Sequence, residues 1–360
     1  MSQTVERPTG TATPSAGRSG RRSLDSTQLV WIAFVVVVLV GVVLAAISGD
    51  NFFRNGNIVS VLTLTSTLGF VAIGQTLVIL GGSLDLSVPF VISLSSLVAG
   101  GIMAGQTGNV VPGVLAALAV SGLIGLANGL IVTRLHVHGF IATLGTGLIV
   151  SGFLASNYQG SSGSAPRSFQ LWGISLIGPV PVSTLVMLAC AGAAVLMLRR
   201  SRLGHQLYAV GGGREVARMS GVRTDRPLVA AHVLCSMLSG VAGLLLLSRT
   251  SVGSPTIGSQ GSYDLMSIAA VVLGGTLLAG GRGSIVGTLG GVAIFAVLDN
   301  VMSVMEVNSF LRDVVRGLVI VVAVAVYARR AIPRRPTRFP LHASPLTGAP
   351  ATTPSSQERA

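Results

Sequence analysis

Apolar residues recur along the chain in ten long stretches, at 28–47, 57–80, 87–105, 110–133, 139–157, 179–198, 227–247, 263–280, 284–304 and 311–328, parted by short polar or glycine-rich segments. Stretches of this length match the run of apolar residues a helix needs to cross the ~30 Å hydrocarbon core of a bilayer. The pattern predicts an all-α polytopic membrane protein of about ten transmembrane segments. Glycine and proline interrupt the pattern near 81–89, 145–152 and 274–283. Irregular backbone at membrane depth has to be buried in protein or line a watery cavity, so broken or re-entrant segments are expected there.

Residues 1–26 are polar, and Arg18, Arg21 and Arg22 precede the first apolar stretch. This resembles the basic end of a signal peptide, but the stretch that follows is too long for one. A first membrane helix behind a disordered cytoplasmic tail is expected instead. Residues 331–360, rich in Pro, Arg, Thr and Ser, read as a second disordered tail. The membrane domain is then 27–330.

Charge orients the chain. All 24 basic residues are arginines. With the N-terminus inside, nineteen of them fall in the N-terminal tail, in the segment that follows residue 328, or in the loops 81–86, 134–138, 199–226 and 281–283. Only Arg54, Arg167, Arg249, Arg312 and Arg316 fall on the other side. Such a bias places basic loops in the cytoplasm and favours ten spans, with both termini cytoplasmic, over nine or eleven.

Composition agrees. Charged residues are 10% of the chain, against roughly 25% in soluble domains, as expected where lipid is the solvent. The 47 glycines lie inside Val/Leu/Ile runs and suit close helix packing. The net charge of +13 is spread over loops and tails rather than one face, so nucleic acid is not an expected partner. Cys190 and Cys235 sit in apolar runs, and His136 and His138 lack further ligands; neither a disulfide framework nor a metal site is indicated. Without lysine there is no GxxxxGK[ST] phosphate loop, so any ATPase must be another chain.

Three polar segments carry candidate chemistry. The first, 199–226, holds Tyr208-Ala-Val-Gly-Gly-Gly-Arg-Glu-Val-Ala-Arg-Met-Ser-Gly221; a short amphipathic helix is expected from Arg214 to Ser220, with Val216 and Met219 on one side, Glu215 and Arg218 on another, and Gly221 just past its end. The second is Gly81-Gly-Ser-Leu-Asp-Leu-Ser-Val88, where Asp85 or Ser83 is expected to cap a helix starting near Leu86. The third runs from Ala269-Ala-Val-Val-Leu-Gly-Gly-Thr276 into Gly280-Gly-Arg-Gly-Ser-Ile-Val-Gly-Thr288 and reads as a cytoplasmic reversal between helices. Leu80-Gly-Gly-Ser83 and Leu273-Gly-Gly-Thr276 hint at an internal repeat. Of the membrane ionisables, Asp299, beside Asn300, lies deepest; it either lines a pore or pairs with an arginine such as Arg316.

These segments resemble the permease subunits of ATP-binding-cassette importers of the ribose/xylose/galactose class. That family's coupling loop reads close to Val-Gly-Gly-Asn-x-x-Ala-Ala-Arg-x-Ser-Gly-Ile; this chain has Val210-Gly-Gly-Gly-Arg-Glu-Val-Ala-Arg-Met-Ser-Gly-Val222, with Gly213 for Asn and Val216 for the first Ala. The segment at 81–88 is similar to Gly-Gly-Ile-Asp-Leu-Ser-Val-Gly, with Pro89 in place of the final Gly. The stretch 269–288 is similar to Ala-Ala-Val-x-Leu-Gly-Gly-x-x-x-x-Gly-Gly-x-Gly-x-x-x-Gly-Thr.

The resemblance spans about 50–330 and implies a non-enzymatic permease of the bacterial inner membrane that conducts a monosaccharide or related solute. It implies Gly211, Gly212, Glu215, Ala217, Arg218 and Gly221 as the ATPase-coupling loop, and Asp85, Ser87, Gly274 and Gly275 as translocation-path or helix-break residues; Asp299 and Asn300 join the translocation-path candidates on their depth in a span alone. It also implies a homodimer or a pseudo-dimer with a paralogue, a cytoplasmic ABC ATPase that holds the ATP and magnesium, and an extracytoplasmic sugar-binding protein. No cofactor, metal or catalytic residue is expected in this chain. A permease for branched-chain amino acids or nucleosides, and an ion-coupled secondary transporter, stay open as alternatives.

Overall fold

The computed structural model describes residues 26–47 and 49–331. The tails expected before residue 26 and after residue 331 lie outside the described residues. The helices are α1 (Ser26–Ile47), α2 (Asn55–Leu80), α3 (Val88–Met103), α4 (Val110–Arg134), α5 (Gly139–Asn157), α6 (Arg167–Ile174), α7 (Val182–Arg200), α8 (Arg202–Gly212), α9 (Arg214–Met219), α10 (Asp225–Thr250), α11 (Ile257–Gln260), α12 (Tyr263–Leu273), α13 (Ile285–Val304) and α14 (Ser309–Ala331). A one-turn 3₁₀ helix at Thr107–Asn109 precedes α4, and a small hairpin, β1 (Leu176–Ile177) with β2 (Val180–Pro181), precedes α7.

Each of the ten apolar stretches holds a helix. Among the described residues, α1, α2, α4, α5, α7, α10 and α13 are long and apolar enough to cross a membrane, and α3 and α12 are shorter apolar helices. The protein is an all-α polytopic membrane protein.

Three expectations are corrected. The break near 145–152 is absent, because α5 runs unbroken from Gly139 to Asn157. An isolated glycine in a helix costs only about 1 kcal/mol, and Gly147 serves packing: a Cβ there would lie 2.9 Å from the Phe90 ring. The segment 199–226 is not mainly loop but two helices, α8 and α9. The stretch 263–280 is helical only as far as Leu273.

Helix α2 is the central element. From Ser66 to Leu80 every residue is buried, polar ones included, which is the pattern of a helix packed on all sides. Against the core, α10 and α4 pack antiparallel through small residues: Gly129 meets Val229, Gly125 meets Val233 and Ser236, and Ser121 meets Gly240. This Ser121-xxx-Gly125-xxx-Gly129 ladder lets the backbones close up where dispersion, not water exclusion, drives association. On the periphery, α1 leaves Val35, Val36, Leu39, Val40 and Val43 more than half exposed, a face suited to lipid.

The packing also fixes which helix ends lie together. Along α2, the Ser66–Thr184 and Gly69–Met187 contacts make α7 parallel, while Thr76–Thr288 makes α13 antiparallel. Gly290 near Val30 and Gly41 near Val301 set α1 parallel to α13. One end of the bundle therefore gathers the C-terminal ends of α2, α4 and α7, the start of α1, and α8 and α9. Arg134, Arg199, Arg200, Arg202, Arg214, Arg218, Arg226 and Arg282 all sit at that end. With 26 residues, α2 separates the two ends by about 39 Å.

Candidate functional site: helix breaks, docking helices and a polar cleft

Two helices stop at the arginine-rich end in the same way. At the end of α2, Gly82 takes φ +79° and the chain closes with Gly82 N donating to Ile79 O (2.9 Å) and Ser83 N to Val78 O (3.1 Å). At the end of α12, Gly275 takes φ +88°, with Gly275 N donating to Val272 O (2.9 Å) and Thr276 N to Val271 O (3.2 Å). Left-handed glycine here satisfies carbonyls that the helix would otherwise leave without partners. The repeat hinted at by Leu-Gly-Gly is thus a repeat of backbone geometry. A reversal follows each stop, and α3 and α13 then carry the chain back.

Asp85 does not cap α3, as the spacing had led us to expect. Its Oδ1 accepts from Ser87 N (3.0 Å) and Ser87 Oγ (2.6 Å), a turn made within the reversal itself. Its Oδ2 faces His232 Nδ1 at 3.5 Å, and both side chains are fully buried. The other ring nitrogen, Nε2, lies 3.1 Å from Ser83 Oγ. Asn128 Nδ2 donates to Ser87 Oγ (2.9 Å), and Thr143 Oγ1 accepts from Leu86 N (3.0 Å). In the amide orientation that satisfies both ends, Gln75 exchanges two 3.3 Å hydrogen bonds with the Asp85 backbone. Side chains of α2, α4, α5 and α10 thus hold the first reversal. His232 escaped the sequence reading because its partner is 147 positions away; a lone imidazole inside the apolar stretch 227–247 was the available signal.

The segment 199–226 packs beneath both breaks. Ser201 caps α8, its Oγ accepting from Gly204 N (3.1 Å), and Gly204, Leu207 and Val210 form the buried stripe of that helix. On the same helix, Tyr208 donates from its hydroxyl to Gly283 O (3.0 Å), and burial pushes the phenol above its ordinary pKa against the opposing pull of Arg199. Beyond Gly213, α9 spans Arg214–Met219, one residue short of the expected helix, and Gly221 ends it at φ +80° with the cap used by α2 and α12.

Within α9, Ala217 is the buried anchor, packed with Val210, Val222 and Leu228. Val216 and Met219 are 64% and 74% exposed, and Glu215 and Arg218 are exposed beside them. An ion pair from Arg214 Nη2 to Asp225 Oδ1 (2.9 Å) ties α9 to the start of α10.

Backbone meets backbone where these parts join. Gly211 lies against Leu80 O and Gly281 N too closely to admit a side chain. Gly281 N donates to Leu80 O (3.0 Å), and a Cβ on Gly280 would lie 2.9 Å from Gly82 Cα and 3.0 Å from Gly211 Cα. Gly212 itself has free space. Three chain segments thus converge through glycine, and Gly274 lies above them against Gly287 and Thr288.

The remaining candidates lie at the other end of the bundle. Asp299 Oδ1 accepts from Arg316 Nε (2.8 Å), and Arg316 also reaches Asp313 (3.0 Å), so the pairing with Arg316 weighed from the sequence is present. Asn300, one residue on, is buried and lines a cleft of about 510 Å³ between α1, α2, α10 and α13. The candidate residues therefore do not form one site. Asp85 and Ser87 belong to the first break, Gly274 and Gly275 to the second, and Asp299 and Asn300 to the far end.

Similarity to known proteins follows the same lines. The chain matches the family described as branched-chain amino acid transport system / permease component over residues 57–324. It is 37% identical to the ribose import permease protein RbsC of Escherichia coli over 313 residues, covering 86% of this chain and 97% of that one. The galactose/methyl galactoside import permease protein MglC of Haemophilus influenzae is 30% identical, with 85% and 95% covered. The L-arabinose ABC transporter permease protein AraH of Azospirillum brasilense is also 30% identical, with 92% and 96% covered. No solved structure matches. With a family match over most of its length and relatives that it covers almost end to end, this chain belongs to the branched-chain amino acid transport system / permease component family.

Proposed function

We propose that this chain is the membrane-spanning subunit of an ATP-binding-cassette importer for a monosaccharide or related small polar solute. It sits in the cytoplasmic membrane as a ten-segment protein with both termini and α8–α9 in the cytoplasm. Relatives named for ribose, galactose and L-arabinose import support the sugar over branched-chain amino acids or nucleosides.

The observation that carries the mechanism is the glycine junction. An exposed helix, α9, with an apolar pair and a charged pair on its surface, is joined through α8 to the backbone of both helix breaks. Docked on a cytoplasmic ATPase, α9 would follow the movement of that partner. Gly211 would pass the displacement to Leu80 and Gly281 together, since close-packed backbone leaves no slack to absorb it. The two breaks would then tilt α3 and α13 against α2, opening the path alternately to each side. Hydrolysis belongs to the ATPase partner, and this chain performs no covalent chemistry. A second permease copy or a paralogue completes the path, and an extracytoplasmic binding protein delivers the sugar.

Co-purification with the candidate ATPase in detergent tests this reading, followed by a comparison of wild type with Glu215→Ala/Arg218→Ala in liposomes. The ATPase is expected to co-purify. In the double variant, ATP hydrolysis is expected to lose its response to the binding protein. Absence of any associating ATPase contradicts the reading.

A further inference from the structure

Between α10 and α12 the chain reads Ser251-Val-Gly-Ser-Pro-Thr-Ile-Gly-Ser-Gln-Gly-Ser262, polar enough to pass for a loop outside the membrane. Its packing places it elsewhere. Gly253 lies against Ser96 and Leu97 of α3, and Gly258 lies against Pro89 too closely to admit a side chain. The segment thus descends along α3, from the end of the bundle remote from α8 and α9, toward the first break. Two buried serines of α3 hold it there: Ser96 Oγ accepts from Ser254 N (3.3 Å) and Ser93 Oγ from Gly258 N (3.0 Å). Left-handed serines, Ser251 at φ +65° and Ser262 at φ +47°, mark where it leaves α10 and where it enters α12, a conformation uncommon outside glycine.

Two independent routes measure its depth. Ile92 of α3 meets Gly243 of α10, which stands about 10 Å short of the Thr250 end of that helix. Pro89 lies a further turn down α3, so Gly258 sits about 15 Å below the end of α10. From the opposite side, Gly274 lies against Thr288, whose hydroxyl pairs with Thr76 one turn before the end of α2. Asp264, at the start of α12, therefore stands about 20 Å from the end of α2, halfway along that 26-residue helix.

At this depth lipid cannot serve polar groups. Thr256, Ser259 and Gln260 are nevertheless exposed, and Asp264 is half-buried. Among the described residues the Asp264 carboxylate has no ion-pair or hydrogen-bond partner. Irregular backbone at membrane depth is buried in protein or lines water, and an intramembrane carboxylate without a counter-charge needs water as its solvent. We propose that residues 256–264 form a wall of an aqueous path midway through the bundle, with Asp264 as its charge filter. Neutral and cationic solutes pass it; anions are repelled by an uncompensated carboxylate whose field low-dielectric walls concentrate. The wall rests on depth and exposure alone; that the path carries an imported solute rests on the importer reading.

The test uses the full chain in lipid nanodiscs on a Cys190→Ser background, Cys235 being fully buried. Thr256→Cys and Gln260→Cys are reporters within the segment, and Leu39→Cys, on the exposed apolar face of α1, is the lipid-facing control. Each is treated with a cationic and an anionic methanethiosulfonate of similar size. Both reporters are expected to react, and Leu39→Cys with neither reagent. The cation-to-anion rate ratio at Gln260→Cys is expected to fall about tenfold when Asp264→Asn is added, the order of a Coulomb effect between unit charges ~10 Å apart at an effective dielectric of ~20. Asp264→Glu, which keeps the charge, is expected to leave that ratio unchanged.

Reporters that neither reagent modifies are covered by lipid or by a second protein surface, and overturn the inference. So does equal reactivity of Leu39→Cys and Gln260→Cys, or a charge preference that survives Asp264→Asn. ATP-driven uptake is measured on the same preparations joined to their ATPase and binding protein. Uptake that persists after complete modification of Gln260→Cys takes this segment out of the solute's path and leaves the importer standing. Labelling with the expected charge preference but no ATP-driven uptake in unmodified protein removes the importer reading and leaves the wall standing.

Discussion

Gly211 of α8 and the carbonyl of Leu80 at the end of α2 touch so closely that a side chain at 211 would overlap that oxygen. Leu80 O is also the acceptor for Gly281 N, so one carbonyl joins the α8–α9 segment to both helix breaks. Gly211→Ala must push α8 away from this point, at a cost of about 1–3 kcal/mol for overpacking. Gly212→Ala meets nothing within 4 Å. The expected result in liposomes holding the assembled importer is a large loss of ATP-driven uptake in Gly211→Ala and near wild-type uptake in Gly212→Ala. Equal behaviour of the two would argue against the junction as the coupling point.

The fully buried pair Asp85–His232 and the partly exposed pair Asp299–Arg316 should differ in what they hold together. Removing one partner of a fully buried pair leaves the other uncompensated and costs about 3–5 kcal/mol. Asp85→Asn and His232→Ala should both lower the unfolding temperature in detergent by a wide margin. Asp299→Asn, which keeps an amide oxygen facing Arg316 in a pair that stays partly exposed, should cost less than the Asp85 variant. Thermal unfolding of the three variants side by side gives the ranking; a milder effect at Asp85 than at Asp299 would contradict the geometry.

Gly82 and Gly275 occupy equivalent caps at φ +79° and +88°. Any other L-residue in that region pays about 1–2 kcal/mol. Gly82→Ala and Gly275→Ala should therefore destabilise the protein by similar amounts, as measured by the fraction of monodisperse protein after heating. A strongly unequal pair would show that the two breaks are not structural counterparts.

Much of this was legible in the sequence, and the omissions have physical causes. Apolar stretches long enough to span a bilayer announce helices whatever their neighbours, so the ten stretches and the Gly-Gly breaks at 81–82 and 274–275 were readable locally. The glycines of 145–152 were misread because an isolated glycine and a break look alike until the partner is seen, here Phe90 against Gly147. Helix α8 was missed because its buried stripe is only Gly204, Leu207 and Val210, set among arginines. The expected cap by Asp85 failed because its partners, His232 on α10 and Ser87 within the reversal, compete for the carboxylate. Contacts made across the fold, such as Gly211 on Leu80, leave no mark in local pattern.

On α9, Val216 and Met219 face outward while Ala217 holds the helix down. Exposed apolar side chains on a charged helix at the arginine-rich end of the bundle suit a partner surface. Val216→Asp or Met219→Asp should leave the unfolding temperature unchanged and weaken ATPase binding about tenfold, the loss of one moderate interface contact. Titration of the purified ATPase against the permease in nanodiscs, followed by fluorescence anisotropy, reads this directly. Undiminished affinity in both variants would place the docking surface elsewhere.

The central claim is that solute crosses this chain on energy delivered by a separate ATPase. Uptake of radiolabelled ribose, galactose and arabinose into proteoliposomes settles it, with the permease, its ATPase and the binding protein present, and either ATP or an imposed proton or sodium gradient as the energy source. The account predicts accumulation of at least one sugar with ATP, none without the ATPase, and none on an ion gradient alone. Accumulation driven by an ion gradient in vesicles that hold only this chain would contradict it.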